Sequence, residues 1–572
     1  MDRIFVPLYA AAVRNLNGIR WGFINEQGNF KIKPQYDQAY DFQDNGLAIV
    51  SLKNKYGIIN RFGRYLLIPR YESIEQFSEG RAIVIDKAGF KVIDETGRVL
   101  TPKAYSYISS YKNGRAVAAQ SDASGKYLYG FLDKEGKEAI PLKYQSAGDF
   151  DNGKAVVQIE DNKFAIIGLN GEVLNTFNYA NVGSLREGLM SFQETSDGKY
   201  GYMDEIGKVI IKPQFTGALP FTDRVAIVNT AEDFNNKYGV IDKNGNFLIK
   251  PLYNNINALG ENRLSVGKAI NEEMPYIGSK YAIADTTGKM LTDFLYFDVS
   301  NYSNNYASVY DRDYTFFVDK AGNKVTTLPV VNGNGTLSFV GNLIKAFVDN
   351  RVSYFDKDGK LVWKQNTVIP LNYEYRVLER KFRPNKDYLV YYPEVAGMKD
   401  KQKEGTVNTK LKELSQVKPI DPDVQLEYSY TGDFLIEFFQ KNLLVIELYS
   451  YNFPFGAAHG MPSEIYPHID LVTGRFYELK DLFKPDSNYV KVLSDIIAYQ
   501  IKNDPKYSDI FKDSYNGIKA DQPFYVNKDA LFIYFFPYDI APYAAGFPTF
   551  KIPYSQIMNI IDRNGEFWKS FN

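Results

Sequence analysis

The sequence predicts a mainly β protein: an N-terminal array of about ten three-stranded β-repeats over residues 1–365, open superhelix or propeller-like, followed by a C-terminal α+β domain. Three observations carry that reading. Aromatic residues make up 15% of the 572-residue chain, with 45 Tyr and 40 Phe, and such side chains favour pleated, half-buried surfaces. A phrase recurs, as KYGIINRFGRYLLIP at 55–69, KYGYMDEIGKVIIKP at 199–213 and KYGVIDKNGNFLIKP at 237–251. The recurrence stops after Gly359, where a different pattern begins.

Alignment on an aromatic-small pair gives seven clear copies, at Trp21-Gly22, Tyr56-Gly57, Tyr129-Gly130, Phe164-Ala165, Tyr200-Gly201, Tyr238-Gly239 and Tyr281-Ala282. Degenerate copies begin at Phe90, Thr315 and Val352, and a glycine falls seven positions on in all ten, from Gly28 to Gly359. Eight copies place an aromatic fifteen positions on: Tyr36, Tyr71, Tyr105, Tyr144, Tyr179, Phe215, Tyr253 and Tyr296. Each mark has a backbone reason. In YGVIDKNGNFLI, two apolar runs flank Asp-Lys-Asn-Gly, a hairpin in which Asp opens a type I turn and Gly takes the left-handed position. Ile-Lys-Pro ends the second strand because proline cannot donate to a ladder. The phrase FQDNGLAIV, answered by FSEGRAIVI and YKNGRAVAA, supplies a third strand. A unit of this size cannot bury its own aromatic face, so stacking the units makes the core. Three strands are fewer than the four of a usual propeller blade, which favours an open array.

With its aromatic, glycine and Pro-x-aromatic marks in one register over roughly 15–365, the region resembles the bacterial WG-repeat (KWG) family, although the literal Trp-Gly pair stands only at 21–22. The resemblance implies a β-repeat array without catalytic activity.

Residues 366–379, with Pro370 and no further copy, read as a linker, so that a cut near Pro370 is expected to separate two soluble pieces. The domain from 380 to 572 divides into a strand-rich first module at 380–455 and a second module at 456–565. TGDFLIEFFQKNLLVIELYSYNF reads as a hairpin around Gln440-Lys441-Asn442, and a short helix is expected near 404–415. After a Pro485-Asp486-Ser487 start signal, Tyr489, Leu493, Ile496, Ile497 and Gln500 recur at helical spacing. FYVNKDALFIYFFPYDIAPYAAGFPTFKIPYSQI gives two strands flanking a Pro-, Tyr- and Gly-rich loop.

The phrases FGAAHGMP at 455–462, HIDLVTGRFYELKDLF at 468–483 and FFPYDIAPYAAGFPTFKIPYSQI at 535–557 resemble the C-terminal domain of RsiV-like anti-sigma factors, which is also appended to some polysaccharide deacetylases. That domain is of uncharacterised function in most settings, and its best-known members imply lysozyme sensing. A transmembrane segment and a sigma-binding region are not found here, so an anti-sigma role is not expected.

Composition narrows the function. With 67 basic against 68 acidic residues, nothing marks a nucleic-acid or anionic-membrane binder, and zero cysteines removes thiolate metal sites and thiol catalysis. The N-terminus makes a poor signal peptide and no apolar run reaches spanning length, so the expectation is a cytoplasmic protein, with an extracytoplasmic site the alternative that the family resemblance implies. Both histidines, His459 and His468, fall in the second module. A zinc site would need carboxylates such as Glu464 or Asp470 at no recognised spacing, and Ser463 lacks a nucleophile context, so no catalytic, cofactor or metal residue is assigned. His459, in a Gly/Pro-rich loop, reads as a residue that shapes the loop. Tyr538, Tyr543 and Phe547, held by Pro537, Pro542 and Pro548, read as a preorganised binding edge, with His459 the fourth candidate ligand-binding residue.

The expected function is therefore a non-catalytic binding or scaffold protein whose partner is a protein or cell-wall glycan, muramidase-like by resemblance. The alternatives are a wall-polymer enzyme using His459 and an adaptor acting through the array face.

Overall fold

The computed structural model describes residues 7–122, 124–233 and 235–572. The chain forms two compact units: one holds the described residues up to Ala12 together with Trp21–Lys364, the other Val13–Arg20 together with Gln365–Asn572. The protein is mainly β, with 49% strand and 9% helix.

Among the described residues, ten small antiparallel sheets build the first unit. In the second of them, strands Gln38–Ala39, Leu47–Leu52, Lys55–Asn60 and Tyr65–Tyr71 pair in chain order. The expected unit of three strands thus gains a fourth of only two residues, too short to carry a sequence pattern. It lies just after the Pro-x-aromatic mark, so the aromatic-small strand is third in its sheet.

All ten turn glycines have positive φ, between 75° at Gly63 and 89° at Gly288. In the Asp242 turn the carboxylate accepts from the Asn244 and Asn246 amides, both at 2.9 Å, and Gly245 sits at φ 85°. The two aromatic marks lie directly opposite one another on neighbouring strands, as Trp21 and Tyr36, Tyr56 and Tyr71, Tyr129 and Tyr144, and Tyr238 and Tyr253. Between the marks the partner strand bulges, bringing the Leu67 carbonyl to 2.4 Å from where a Cβ on Gly57 would stand. Where the ladder runs unshifted past the small residue, over Phe164–Ile166, Ala165 replaces glycine opposite Thr176, and Phe164 pairs with Phe177 rather than with the expected Tyr179.

The expectation of an open array is corrected. Ten sheets in an open row would share nine interfaces, but ten apolar clusters join them, and the tenth packs Leu343, Val352 and Tyr354 of the last sheet against Tyr9, Ala11 and Ile24 of the first. The Tyr354 hydroxyl donates to the Ala10 carbonyl at 2.8 Å, and the Asn342 amide donates to the Tyr9 hydroxyl at 3.3 Å. The sheets close into a propeller-like ring, which removes the two bare end faces that an open array would leave.

A second device fixes neighbour to neighbour. At several tips before the GRAIV-type strands, the side chain of a left-handed residue accepts from the amide of the next tip: Glu79 from Gly114 at 2.9 Å, Asn113 from Gly153 at 3.2 Å, and Asp223 from Asn262 at 2.9 Å. The same Glu79 carboxylate meets Lys134 at 3.1 Å, as Glu187 meets Lys243 and Glu261 meets Lys320 at that distance. Half-exposed pairs of this kind contribute register more than energy.

In the second unit an eight-stranded sheet begins with Val368–Pro370 and Arg376–Asn385. The stretch expected as a linker is therefore sheet, its register obscured in the sequence by Pro370 on an edge strand. The expected hairpin is Tyr428–Gln440 with Leu443–Pro454, turning at Lys441 with φ 49°. Alternate residues of Leu443–Pro454 serve two cores, in keeping with the strand period of two. Leu444 and Ile446 face helix Lys401–Leu414, which Asp400 caps by accepting from the Gln402 and Lys403 amides. Leu443 and Val445 face helix Tyr489–Asn503 and the three-stranded sheet Phe524–Val526, Ala530–Tyr534, Thr549–Pro553. Arg14 belongs to this unit, buried with Glu379 at 2.7 Å, and so the unit does not consist of residues after 365 alone. Among the described residues no helix is long and apolar enough to cross a membrane.

Candidate functional site

Two loops of the second unit meet. One, 455–460, joins strand Leu443–Pro454 to strand Met461–Ile465, and the other, 535–548, joins the last two strands of the three-stranded sheet. In the first loop the Gly460 amide donates to the Tyr451 hydroxyl at 2.8 Å. A Cβ on Gly460 would stand 2.5 Å from the Asn452 carbonyl and 2.7 Å from the Tyr451 ring, so only glycine lets the loop fold back on its strand. The second loop is anchored by buried Ile540, whose carbonyl accepts from the Phe511 amide at 2.8 Å. Beyond that anchor it exposes Tyr538, at φ 71° and half-exposed.

The loops bring three of the four expected residues together. His459 lies 4.1 Å from Tyr543, ring centre to ring centre, and its Nε2 is 3.2 Å from the Tyr538 hydroxyl. Tyr538 and Tyr543 are 5.8 Å apart. The His459 Nδ1 is 3.0 Å from the Gly460 carbonyl, an acceptor, so Nδ1 carries the proton and Nε2 accepts from Tyr538. Both ring nitrogens are thus committed. A hydrogen bond with Tyr451 raises the pKa of the Tyr543 hydroxyl above its ordinary value. The fourth residue, Phe547, instead packs on Tyr534 and Phe536, at 6.4 and 6.1 Å, behind the platform.

The other residues considered are placed apart. His468 is 1% exposed and stacked on Phe524 at 4.3 Å. Asp470 caps a turn, accepting from the Val472 and Thr473 amides at 2.8 Å and from the Tyr477 hydroxyl at 3.1 Å. Ser463 lies exposed on its strand.

Two features escaped sequence reasoning. Tyr451 completes the platform, and its only signal was alternation in LYSYNF. Glu437, Glu447 and Glu464 come from three adjacent strands to one sheet face, where Tyr466 donates to Glu464 at 3.2 Å. Burial first, then the charges of Glu464 and Glu437, pushes the Glu447 pKa up to about 7. Burial likewise raises Glu437 and Glu464. The signal was a glutamate at inward positions in IEFF and IELY.

Comparison with known proteins fits this division. A sequence model described as WG containing repeat matches 21–56, 56–86, 92–122, 129–164, 200–230 and 238–268, and one described as Protein of unknown function (DUF3298) matches 480–555. The chain thus carries WG-containing repeats and a C-terminal DUF3298 domain, and the latter match takes in Tyr538, Tyr543 and Phe547 but stops short of His459. No curated protein is matched. Among solved structures, a DUF3298 family member from Bacteroides fragilis is 20% identical over 34% of this chain and 96% of its own, with a TM-score of 0.26. A DUF3298 family protein from Pseudomonas aeruginosa PAO1 gives 20%, 34%, 96% and 0.25. A structure of the eukaryotic initiation factor is 12% identical over 62% of this chain and 95% of its own, with a TM-score of 0.35.

Proposed function

We propose that the protein is a non-catalytic bacterial binding protein, in which the repeat ring is a scaffold and the C-terminal domain recognises a protein or cell-wall glycan through Tyr538, Tyr543, Tyr451 and His459. The observation that carries this reading is the exposed, already ordered aromatic platform. Tyrosines on anchored loops offer large contact area with little rotamer entropy left to lose on binding. Both nitrogens of His459 are engaged, by Gly460 and Tyr538, which supports binding over chemistry at this residue.

Resemblance of the second module to lysozyme-sensing domains makes a muramidase the first protein partner to test and peptidoglycan the first glycan. Either partner requires exposure outside the cytoplasm, against the cytoplasmic reading of the N-terminus, and cell fractionation decides between the two compartments. Calorimetry of the full chain with a purified lysozyme, and sedimentation with purified peptidoglycan, test the reading. Saturable binding to one of them is expected, and no binding to either removes it. The adaptor reading draws on Ile68, Ile206 and Leu252, which stand 64%, 74% and 72% exposed on the ring. Capture of a partner protein that does not depend on Tyr538 and Tyr543 would favour it.

A further inference from the structure

We propose that the C-terminal unit holds a second site, distinct from the aromatic platform: a groove on the other face of the eight-stranded sheet that takes one uncharged sugar ring. The groove measures about 370 Å3, within the range of small-molecule sites. Ser450 and Asn452, which line it, alternate with Tyr451 along strand Leu443–Pro454 and so point to the face opposite that platform tyrosine.

Strand register explains why the sheet is hollow here. Gly432, Ser450 and Ser463 stand opposite one another on three neighbouring strands, a floor of small side chains. The rows on either side are larger: Leu448 with Ile465, and Tyr430 with Asn452 and Met461. Leu448 and Asn452 lie four positions apart on one strand, so the two rows stand about 13 Å apart, room for one ring between them. Helix Lys401–Leu414 covers the adjoining part of the sheet, packing Val407 and Leu411 with Leu444 and Ile446. It ends at the groove, where Gln416 turns the chain at φ 61°.

The groups that line the groove suit a sugar. The side chains of Gln416, Asn452 and Ser463 are exposed, and none has a hydrogen-bond partner among the described residues. Amide and hydroxyl groups both donate and accept, which is what ring hydroxyls require of their partners. Leu448, Ile465 and Met461 add apolar contact for the C–H face of a ring. In the floor, Ser450 is engaged with the Tyr430 hydroxyl, and the Ser415 hydroxyl is enclosed in the wall beyond a ligand's reach, so recognition falls to the three exposed groups. Asp433, the one charged residue in the described wall, is paired with Arg14 at 3.0 Å. A ligand ammonium would therefore find no free carboxylate there.

The reading of a wall glycan as partner supplies only the probe, N-acetylglucosamine, with glucosamine in its protonated form as the charged analogue. Met461 is the reporter, since it lines the groove and is 44% exposed. The full chain, which has eight methionines, is labelled with 13C in their methyl groups, and Met461→Leu assigns the signal. N-acetylglucosamine is expected to shift the Met461 methyl saturably while Met398, buried at 1% exposure, stays unmoved. Asn452→Ala/Ser463→Ala should melt like the native chain and bind at least about tenfold more weakly, as the loss of two hydrogen-bonding groups would give. Glucosamine should bind the native chain more weakly by a similar factor. A Met461 signal that does not move or does not saturate, unchanged affinity in the double variant, or equal affinity for the two sugars would each overturn the site. Should the double variant fail to fold, the two sugars on the native chain still decide. Tyr538→Ala/Tyr543→Ala should leave the Met461 titration intact, so the groove and the platform can each fail without the other.

Discussion

Arg14 and Glu379 form a buried ion pair at 2.7 Å although 365 positions separate them in the chain. The same guanidinium lies 3.0 Å from Asp433, donates to the Phe434 carbonyl, and sits 4.4 Å above the Phe434 ring. Removing one partner of a buried pair leaves the other charge uncompensated, which typically costs about 3–5 kcal/mol. Arg14→Ala should therefore lower the melting temperature of the C-terminal unit, followed in the full chain by tryptophan and tyrosine fluorescence. A fragment starting at 365 should be similarly weakened, contrary to what the sequence alone suggests. An unchanged melt for Arg14→Ala would show the pair to be energetically idle.

The turn glycines provide a second test. Gly245 combines φ 85° with an Ile211 side chain that would stand 3.2 Å from any Cβ placed there, so Gly245→Val meets both backbone strain and crowding. The left-handed backbone alone costs a non-glycine residue on the order of 1–2 kcal/mol. Gly57→Ala should be destabilising without any such φ, because its Cβ would stand 2.4 Å from the Leu67 carbonyl. Thermal melts of the two variants measure the separate causes, and native-like stability in either would refute the reason given for that glycine.

Much of this was legible because the repeat is written in backbone-forcing residues. Gly245 and Asp242 announce their turn, and Tyr56 and Tyr71 announce a cross-strand pair. Closure was not legible: the contact of Tyr9 with Tyr354 uses no residue type that an open array would lack. The two-residue strand Gln38–Ala39 is too short to show a period of two. Arg14 looked like one more surface arginine, since nothing local marks a partner hundreds of residues away. At the site, Tyr538 and Tyr543 stood out through their prolines and His459 through its loop, whereas Tyr451 and Glu447 looked like ordinary strand residues.

Ring closure predicts protection at the two ends. In hydrogen exchange, strands Tyr9–Asn15 and Leu343–Val348 should be as slow as the middle strands Leu189–Gln193 and Ala226–Asn229, because all are covered on both faces. Fraying that begins at the first and last sheets and moves inward would indicate an open array.

Stability should depend on pH with a sign set by Glu447. Its folded pKa is raised from 4.5 to about 7, so between those values the folded protein keeps a proton that the unfolded chain has released. Its contribution is full below 4.5 and is lost as the pH rises through about 7. His468 acts oppositely: its folded pKa is lowered from 6.5 to about 3, so its contribution is full above 6.5 and lost as the pH falls toward 3. From pH 6.5 to 8 the glutamate therefore dominates, and the melting temperature should fall. Glu447→Gln cannot ionise and should flatten that fall. An equally steep fall in the variant would assign the dependence to other groups.

Recognition through the aromatic platform is tested most directly by measuring binding of the Tyr538→Ala/Tyr543→Ala full chain, beside the native chain, to whichever of lysozyme or peptidoglycan the native chain binds. Tyr538 is half-exposed, and Tyr543 contacts His459 and Tyr451 at the surface rather than a core cluster, so the variant should melt like the native protein. The expected result is an unchanged melt with affinity reduced by at least about a hundredfold, or ~2.7 kcal/mol, as paired aromatic anchors at a contact centre would give. An unchanged melt with unchanged affinity would contradict a binding role for the platform.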